Sequence, residues 1–122
     1  MKKVKITGTR YVLAVKDLNK AVKFYRKELG FKTSWSADGW HSVYRDSCTV
    51  MLGECPDEQS AFDINNHSYI AYIEVKNIDL LFSEYSSREI EILSTPESKP
   101  WGQREFSIRT IDGHRILFGE EI

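Results

Sequence analysis

Histidines are the side chains of this chain best suited to bind a metal ion or to transfer protons near neutral pH. The sequence has three of them: His41 stands alone on a predicted strand, His67 lies in a polar connecting segment, and His114 lies in a predicted turn. Three histidines on three separate elements do not make a ligand motif. We therefore expect each of them to be a surface or turn residue rather than a metal ligand.

Two cysteines could form a disulfide, but their positions oppose it. Cys48 and Cys55 stand seven residues apart on a single predicted strand. An extended strand would hold them about 20 Å apart, whereas the Cα atoms of a disulfide lie within roughly 7 Å of each other. We expect two reduced thiols, which favours a cytoplasmic protein.

Aromatic side chains offer the chain a means of holding a small molecule, because it has three Trp and six Tyr. Trp101 precedes the last predicted hairpin, and Trp35 and Trp40 flank a predicted turn. Tyr72 and Glu74 are two residues apart on a predicted strand, so their side chains point to the same face. Flat amphipathic rings of this kind can stack on an aromatic ligand. They could equally pack within the protein, Trp101 against a partner subunit and the other two Trp against neighbouring strands.

The elements that must position these side chains begin with a helix. Apolar residues recur with helical spacing from Asp17 to Leu29, which predicts an amphipathic helix with Asp17 as its N-cap and Gly30 after its end. Strands are predicted at 11–15, 31–36, 40–45 and 48–55, with turns at 38–39 and 46–47. The first half of the chain therefore has the order β-α-β-β-β.

The second half repeats this pattern 60 residues later, since Val15 aligns with Val75 and Tyr25 with Tyr85. After the second helix the sequence predicts a short strand near 90–93, a Pro-bearing loop at 95–102, and strands at 104–110 and 115–120 joined by a turn at 112–113. The repeat indicates an internal duplication. We predict one domain, residues 1–122, with a first module at 1–55, a polar linker at 56–68 and a second module at 69–122.

Composition excludes several classes of function. Seventeen basic and eighteen acidic residues give a net charge of -1 without a basic patch, so nucleic acid is not an expected partner. The apolar runs are too short to span a membrane, and the N-terminus lacks the apolar stretch of a signal peptide. We expect a cytoplasmic protein that binds neither nucleic acid nor membrane.

Two stretches resemble the vicinal oxygen chelate superfamily, which includes glyoxalase I, extradiol dioxygenases, and the fosfomycin- and bleomycin-resistance proteins. The first stretch resembles the first strand and helix of that superfamily: Val15-Lys16-Asp17-Leu18, then Ala21-Val22-Lys23-Phe24-Tyr25 and Leu29-Gly30-Phe31. The second resembles the C-terminal signature of the bleomycin-binding branch: Pro100-Trp101-Gly102-Gln103-Arg104-Glu105-Phe106, then Asp112-Gly113-His114 and Phe118. The resemblance implies an α+β fold of two tandem βαβββ modules, with curved mixed sheets each backed by a helix.

Metal-using members of this superfamily bind a divalent ion with His and Glu side chains on the sheet face that lines a groove. The resemblance places those positions on a cation and three apolar side chains: Arg10, Met51, Ile70 and Leu117. None of these can coordinate a metal, and the nearby carboxylates Glu54 and Glu74 would be two oxygen donors without an imidazole. We expect no metal, no cofactor and no catalytic residue.

In the bleomycin-binding relatives, flat heterocycles stack on aromatic residues at a dimer interface and acidic residues attract a cationic tail. The resemblance assigns the stacking to Trp101 and also to Tyr72, which stands at a position where the relative has a Trp. Arg104 and Glu105 are expected to pair with neighbouring residues as a structural motif. Arg10 and Arg115 and an isoelectric point of about 6.3 argue against a strictly cation-seeking pocket. The predicted ligand site is Trp101, Tyr72, Glu74, Trp40, Trp35, Arg10 and Arg115.

We therefore expect a non-catalytic protein that binds and sequesters a small aromatic, bleomycin-like compound. Two alternatives stay open: a metal-dependent lyase, isomerase or dioxygenase of the superfamily with an atypical metal site, and a structural dimer without a ligand. Apolar residues on the sheet faces opposite the helices predict a homodimer that covers them. The segment from Lys3 to Thr7 alternates like an edge strand that could add to the partner's sheet.

Overall fold

The computed structural model describes residues 3, 7–57, 63 and 69–122, which form eight strands and two helices. Residues 4–6 of the predicted edge strand and most of the predicted linker, His67 included, lie outside the described residues. The elements in chain order are β1 Tyr11–Val15, α1 Leu18–Lys27, β2 Lys32–Ala37, β3 Trp40–Arg45, β4 Cys48–Glu54, β5 Tyr69–Glu74, α2 Ile78–Ser86, β6 Glu91–Ser98, β7 Gln103–Arg109 and β8 Arg115–Glu121.

Each half of the chain builds one mixed four-stranded sheet. The first sheet has the strand order β1-β4-β3-β2 and the second has the order β5-β8-β7-β6. In both sheets the first strand runs parallel to the last strand of its half, and the remaining pairs are antiparallel. Helix α1 packs on the first sheet and α2 on the second. The predicted α+β fold of paired βαβββ units is confirmed.

Helix α1 forms where its apolar stripe and its two end signals agree. The Asp17 carboxylate accepts a hydrogen bond from the Lys20 N–H at 3.1 Å, which satisfies one of the free N–H groups of the first turn. At the other end Gly30 has φ +78°, and the N–H of Phe31 donates to the Tyr25 carbonyl at 2.9 Å. Only a glycine adopts this left-handed conformation without strain, so the chain reverses there as predicted.

The two halves meet at a seam where side chains of the second half reach the main chain of the first. The Tyr85 hydroxyl donates to the Leu29 carbonyl at 3.0 Å, and the Arg88 guanidinium donates to the Glu28 carbonyl at 2.8 Å. The Asp112 carboxylate accepts from the N–H of Lys16 at 2.9 Å. Because the donors and acceptors are paired across the seam, the two sheets are fixed relative to each other.

A half-buried ion pair reinforces the same seam. The Arg45 guanidinium lies 2.7 Å from the Glu84 carboxylate and also donates to the Leu29 carbonyl at 2.9 Å. This pairing lowers the pKa of Glu84, because the hydrogen bond from Arg45 favours the charged carboxylate.

Two details of the sequence prediction are wrong. The strand predicted near 90–93 extends as β6 to Ser98, so half of the predicted 95–102 loop is strand. The extension is possible because Pro96 falls where the register between β6 and β7 shifts, and a bulge tolerates a residue without an N–H. His114 follows its predicted turn but is buried rather than at the surface, and this burial lowers the pKa of its imidazole.

Neither described helix combines the length and the apolar character that crossing a bilayer requires.

Candidate functional site

The sheet faces that point away from the helices are called the open faces here, and strand alternation determines which residues they carry. Leu13 is 7% exposed under α1, whereas its neighbour Val12 is 61% exposed on the opposite side of β1. The pairing of residues across neighbouring strands identifies the side chains that lie on the same face as Val12 in the first sheet and Tyr72 in the second. The first open face includes Val12, Ala14, Trp40, Ser42, Met51 and Gly53, and the second includes Tyr72, Glu74, Gln103, Glu105, Ser107, Leu117 and Gly119.

Trp101 stands at the tip of the hairpin between β6 and β7, at one end of the second open face. The turn runs from Lys99 to Gly102 and is closed by a hydrogen bond from the Gly102 N–H to the Lys99 carbonyl at 3.1 Å. Pro100 has the fixed φ that favours the second position of such a turn, and Gly102 has φ +87°. This turn chemistry holds Trp101 in place while leaving it 63% exposed.

Tyr72, Trp101, Gln103 and Glu105 form a hydrogen-bonded group that we call the Glu105 cluster. One oxygen of Glu105, Oε2, accepts from the Tyr72 hydroxyl at 2.9 Å and from the Trp101 indole Nε1 at 3.2 Å. The Tyr72 hydroxyl also lies 3.2 Å from Oε1 of Gln103. The carboxylate thus fixes the orientation of two aromatic rings, one on strand β5 and one in the β6–β7 turn.

The ring of Tyr72 reaches Glu105 by lying across Gly119 on the intervening strand β8. A Cβ built on Gly119 would overlap the hydroxyl, Cζ and Cε1 of Tyr72. A similar arrangement occurs on the first open face, where a Cβ on Gly53 would lie 2.9 Å from the Trp40 ring. Each glycine therefore provides the space that an aromatic ring fills.

Burial raises the pKa of Tyr72 to about 12, and the hydrogen bond to Glu105 and the charges of Glu105 and Glu74 act in the same direction. A proton removed from this hydroxyl would leave a phenolate beside two carboxylates, which is unfavourable. Tyr72 therefore stays a hydrogen-bond donor throughout the neutral range, although 39% of its surface is exposed.

The seven predicted ligand-site residues fall into separate groups in one chain. Tyr72 and Trp101 meet at Glu105, and the charge of Glu74 acts on the Tyr72 hydroxyl. Arg115 lies at the other end of β8, with its guanidinium 6.0 Å from the ring centre of Tyr69. The three remaining predicted residues belong to the first half of the chain: Arg10, Trp35 and Trp40.

Sequence reasoning missed Glu105 and Gln103 as members of the site. The pairing expected for Arg104 does occur, because its guanidinium lies 3.0 Å from Asp79 on α2. Glu105 points to the opposite side of β7 and bonds Tyr72 and Trp101 instead. Strand alternation between residues 104 and 105 was the available signal, since it sends adjacent side chains to opposite faces.

The side chains at the positions where the resemblance led us to expect the metal ligands of relatives, Arg10, Met51, Ile70 and Leu117, do not fit a divalent cation. Met51 lies opposite Val12 in the register of the first sheet, and Leu117 lies opposite Tyr72 in the second. Hard and borderline cations need oxygen or nitrogen donors, which apolar side chains and a guanidinium lack. In the part of the chain that the structure describes, no three His, Cys, Asp or Glu side chains are grouped so that they could hold a metal ion.

A cavity of about 960 Å³ opens at the seam, next to the second open face. Its lining includes Tyr72 and Glu74 from β5 as well as Tyr11, Cys48 and Tyr85. Burial raises the pKa of the Cys48 thiol, so this group is a poor nucleophile. Cys48 and Cys55 are both free. The cavity has the size of a small-molecule site, and both halves of the chain contribute to it.

Known structures share this fold across nearly their whole length. A glyoxalase-related enzyme from Clostridium phytofermentans is 22% identical, with a TM-score of 0.79 and full coverage, 100%, of both chains. The bleomycin-binding protein from Streptomyces verticillus, solved with copper(II)-bleomycin, is 24% identical, with a TM-score of 0.75 and coverage of 95% of this chain and 97% of that one. A glyoxalase/bleomycin resistance protein/dioxygenase from Nocardioides is 20% identical, with a TM-score of 0.75 and coverage of 99% and 87%. At these identities the likeness establishes the fold alone.

Among curated proteins, none matches the sequence closely enough to count as a relative. The family model for the Glyoxalase/Bleomycin resistance protein/Dioxygenase superfamily, in contrast, matches residues 9–118, which include β1 to β7, the first part of β8, both helices and the Glu105 cluster. The chain therefore belongs to the glyoxalase/bleomycin resistance protein/dioxygenase superfamily.

Proposed function

We propose that the protein binds and sequesters a small aromatic compound, without transforming it, in a groove beside the Glu105 cluster. The observation that carries this proposal is Trp101, which is 63% exposed yet held by a hydrogen bond from its indole Nε1 to Glu105. An exposed ring that is already oriented loses little freedom when a flat ligand stacks on it, so the binding cost is low. Stacking then contributes about 1 kcal/mol beyond the buried area.

Further exposed aromatic side chains lie beside Trp101 and on the first half of the chain. Tyr72 lies beside Trp101, and Trp35 and Trp40 are each 38% exposed on the first half of the chain. The similar protein from Streptomyces verticillus is a bleomycin-binding protein, which supports a small-molecule ligand for this chain. The residues at the family's metal positions support binding rather than catalysis, because Arg10, Met51, Ile70 and Leu117 offer no ligand set.

We also propose a homodimer in which the open faces of two copies line the groove. Val12, Trp40 and Tyr44 are exposed on the first half of the chain, and Tyr69 and Trp101 are exposed on the second. Monomers seldom leave so much apolar surface in water, and two-fold pairing of a first open face with a partner's second open face would cover it. Such a dimer would bring together the two groups of predicted site residues that lie apart in one chain. Arg10, Trp35 and Trp40 of one copy would face the same groove as Trp101 and Tyr72 of the other.

In this proposal the 122 residues form one cytoplasmic domain, with modules at 1–55 and 69–122 joined by a linker at 56–68. Light scattering at micromolar concentration tests the dimer, since one chain weighs 14.2 kDa. The expected mass is twice that value, and a monomer at all accessible concentrations would contradict the shared groove.

Calorimetric titration with copper(II)-bleomycin and with acridine, a neutral flat aromatic, tests the binding function. We expect at least one of the two probes to bind, and Trp101→Ala to weaken that binding by about tenfold or more. Ile111→Ala is the matched control, because Ile111 is a 54% exposed apolar residue in the turn between β7 and β8, outside the lining of the cavity at the seam. Unchanged affinity in Trp101→Ala would contradict the proposal.

The alternative of an atypical metal-dependent enzyme is separated from this proposal by metal analysis. Protein purified without chelators would retain a stoichiometric ion through dialysis if such a site existed. The binding proposal expects no retained ion and no isomerisation of the hemithioacetal of methylglyoxal.

A further inference from the structure

At the cavity in the seam, the second half of the chain covers its own first strand less completely than the first half does. Leu13 and Val15 of β1 are buried on the side of the sheet that faces α1. Ile73 and Val75, which the 60-residue repeat places at the same positions of β5, are only partly buried. Both of them line the cavity. Apolar surface that is covered in the first half is therefore left open in the second.

Helix α2 adds apolar side chains to the same opening. Leu80 lines the cavity and is 71% exposed, although the repeat places the charged residue Lys20 at this position of α1. Leu81 also lines the cavity and is partly buried, whereas its counterpart Ala21 is fully buried. Leu80 is not an isolated surface leucine, because it continues the apolar lining that Leu81 and the two β5 residues form. Continuous apolar surface of this kind, in a cavity, is typical of a ligand site.

The first half of the chain supplies the other wall, which includes Phe31 and Cys48. Phe31 is buried, and the half-buried thiol of Cys48 has a pKa raised by burial, so it stays uncharged and acts as a small apolar group. The buried hydroxyl of Tyr85 already donates to the Leu29 carbonyl at 3.0 Å, so its proton is not available to a ligand. A lining of this kind takes up apolar molecules rather than ordered water.

The charged groups around the cavity offer little attraction to an ion. Arg45 and Glu84 both belong to the lining and neutralise each other in an ion pair of 2.7 Å. The other charged residues of the described lining, Asp46, Glu74 and Lys76, are exposed, so water and salt screen them. The cavity therefore favours an uncharged ligand.

The cavity is separate from the groove that we propose beside Trp101. Neither Trp101 nor Glu105 belongs to its lining, and Tyr72 and Glu74 are the residues that it shares with the second open face. A ligand in the cavity lies between β5 and α2 on one side and the first half of the chain on the other. It would not need the indole of Trp101.

We propose that this cavity is a second binding site, which takes an uncharged apolar compound of two or three rings. Its volume of about 960 Å³ is that of a small-molecule site. The ligand covers the apolar surface that Ile73, Val75 and Leu80 leave open. Because both halves of the chain line the cavity, the bound ligand also adds contacts across the seam.

N-phenyl-1-naphthylamine is a suitable probe, because it is uncharged and its fluorescence increases when it leaves water. Titration of the unaltered protein into a micromolar solution of this probe should give saturable binding with a dissociation constant below about 200 μM. Its anionic analogue, 1-anilinonaphthalene-8-sulfonate, should bind at least about fivefold more weakly, because burial of the sulfonate is costly. Absence of saturable binding, or an equal or higher affinity for the anion, would overturn the inference.

Cys48 reports whether the probe occupies the cavity. In Cys55→Ser the remaining thiol is that of Cys48, and saturating probe should slow its alkylation by N-ethylmaleimide about fivefold or more, as followed by mass spectrometry. Cys48→Ser is the matched control, because it keeps the exposed thiol of Cys55, whose alkylation rate should change less than about twofold. Probe binding with an unchanged alkylation rate of Cys48 would overturn the inference.

Two substitutions of Leu80 test the lining without disturbing the core, since this side chain is largely exposed. Leu80→Ser should weaken probe binding about fivefold or more, because apolar contact is lost, whereas Leu80→Met should change it less than about twofold. Equal affinities of the two variants would contradict the proposed site.

Trp101→Ala distinguishes the cavity from the groove. A probe that lies in the cavity should keep its affinity in this variant, even if copper(II)-bleomycin or acridine loses affinity there. A loss of probe affinity of about tenfold or more would assign the probe to the groove, which would overturn the second site and support the stacking function.

Discussion

Gly119→Ala should destabilise the protein, although the opposite is expected for most strand glycines. A strand glycine that gains a methyl group normally stabilises the strand by roughly 0.5–1 kcal/mol, because the unfolded chain loses freedom. At Gly119 the new Cβ would overlap the hydroxyl and ring of Tyr72. The ring must therefore move away, and the hydrogen bond from its hydroxyl to Glu105 is lost.

The magnitude follows from these two opposing contributions. A hydrogen bond to a charged group contributes about 1.5–3 kcal/mol, and the gain in strand propensity offsets part of that loss. The net decrease in the free energy of unfolding should be about 1–2 kcal/mol. In a Tyr72→Ala background the ring is absent, so the same Gly119→Ala change should be neutral or stabilising.

Urea denaturation of the four proteins in this double-mutant cycle measures the effect. The coupling free energy between positions 72 and 119 should be about 1.5–3 kcal/mol, with Gly119→Ala destabilising only the protein that keeps the Tyr72 ring. Gly8→Ala is the control, because a Cβ there meets nothing within 4 Å. If Gly119→Ala had the same effect with and without the Tyr72 ring, the account of the Glu105 cluster would be wrong.

Three further outcomes are expected. Burial holds the pKa of His114 below its usual 6.5, so the unfolded chain binds the proton first and the free energy of unfolding should fall as the pH drops below about 6.5. Urea denaturation at several pH values should show a weaker decline in His114→Gln. An unchanged pH dependence in that variant would assign the decline to other groups. In a double-mutant cycle of unfolding free energies, Arg45→Met and Glu84→Gln should show a coupling of about 0.5–1 kcal/mol. This coupling should vanish as the pH falls through the lowered pKa of Glu84. A coupling that persists in acid would contradict the ion pair. Phe106→Ala should cost about 3–5 kcal/mol, because the ring is fully buried and stacks on Phe118 with centres 5.1 Å apart. Phe106→Leu should cost less, because it leaves a smaller cavity, and equal midpoints of thermal unfolding for the two variants would refute this packing.

The sequence predicts the fold well because burial leaves a periodic record in it. The helical stripe between Asp17 and Gly30 and the alternation of Val12 with Leu13 both report which side of an element faces the core. These are local signals, and the structure confirms α1, β1 and the repeat at 60 residues. The predicted end of β6 is wrong, because a strand can contain Pro96 only where its pairing with β7 has a bulge, and a bulge is not visible in the sequence of β6 alone.

The Glu105 cluster could not be predicted in the same way because its contacts join distant parts of the chain. Tyr72 and Glu105 are 33 residues apart, and their bond requires Gly119 on a third strand to leave room for the ring. His114 shows the same limit, since nothing in the local sequence pattern indicates that this residue beside a turn is buried. A sequence pattern reveals which side of an element is buried, whereas these contacts depend on how the elements are assembled.

The seam between the halves has an evolutionary consequence. Across it, Tyr85, Arg88 and Asp112 of the second half bond main-chain groups of the first. A main-chain carbonyl or N–H is kept when the side chain at that position changes, so at these contacts mutations in the first half are tolerated more readily than mutations in the second. This asymmetry is limited to Leu29 and Lys16, because elsewhere at the seam side chains of the first half take part: Arg45 pairs with Glu84, and the Glu28 carboxylate accepts from the Glu89 N–H.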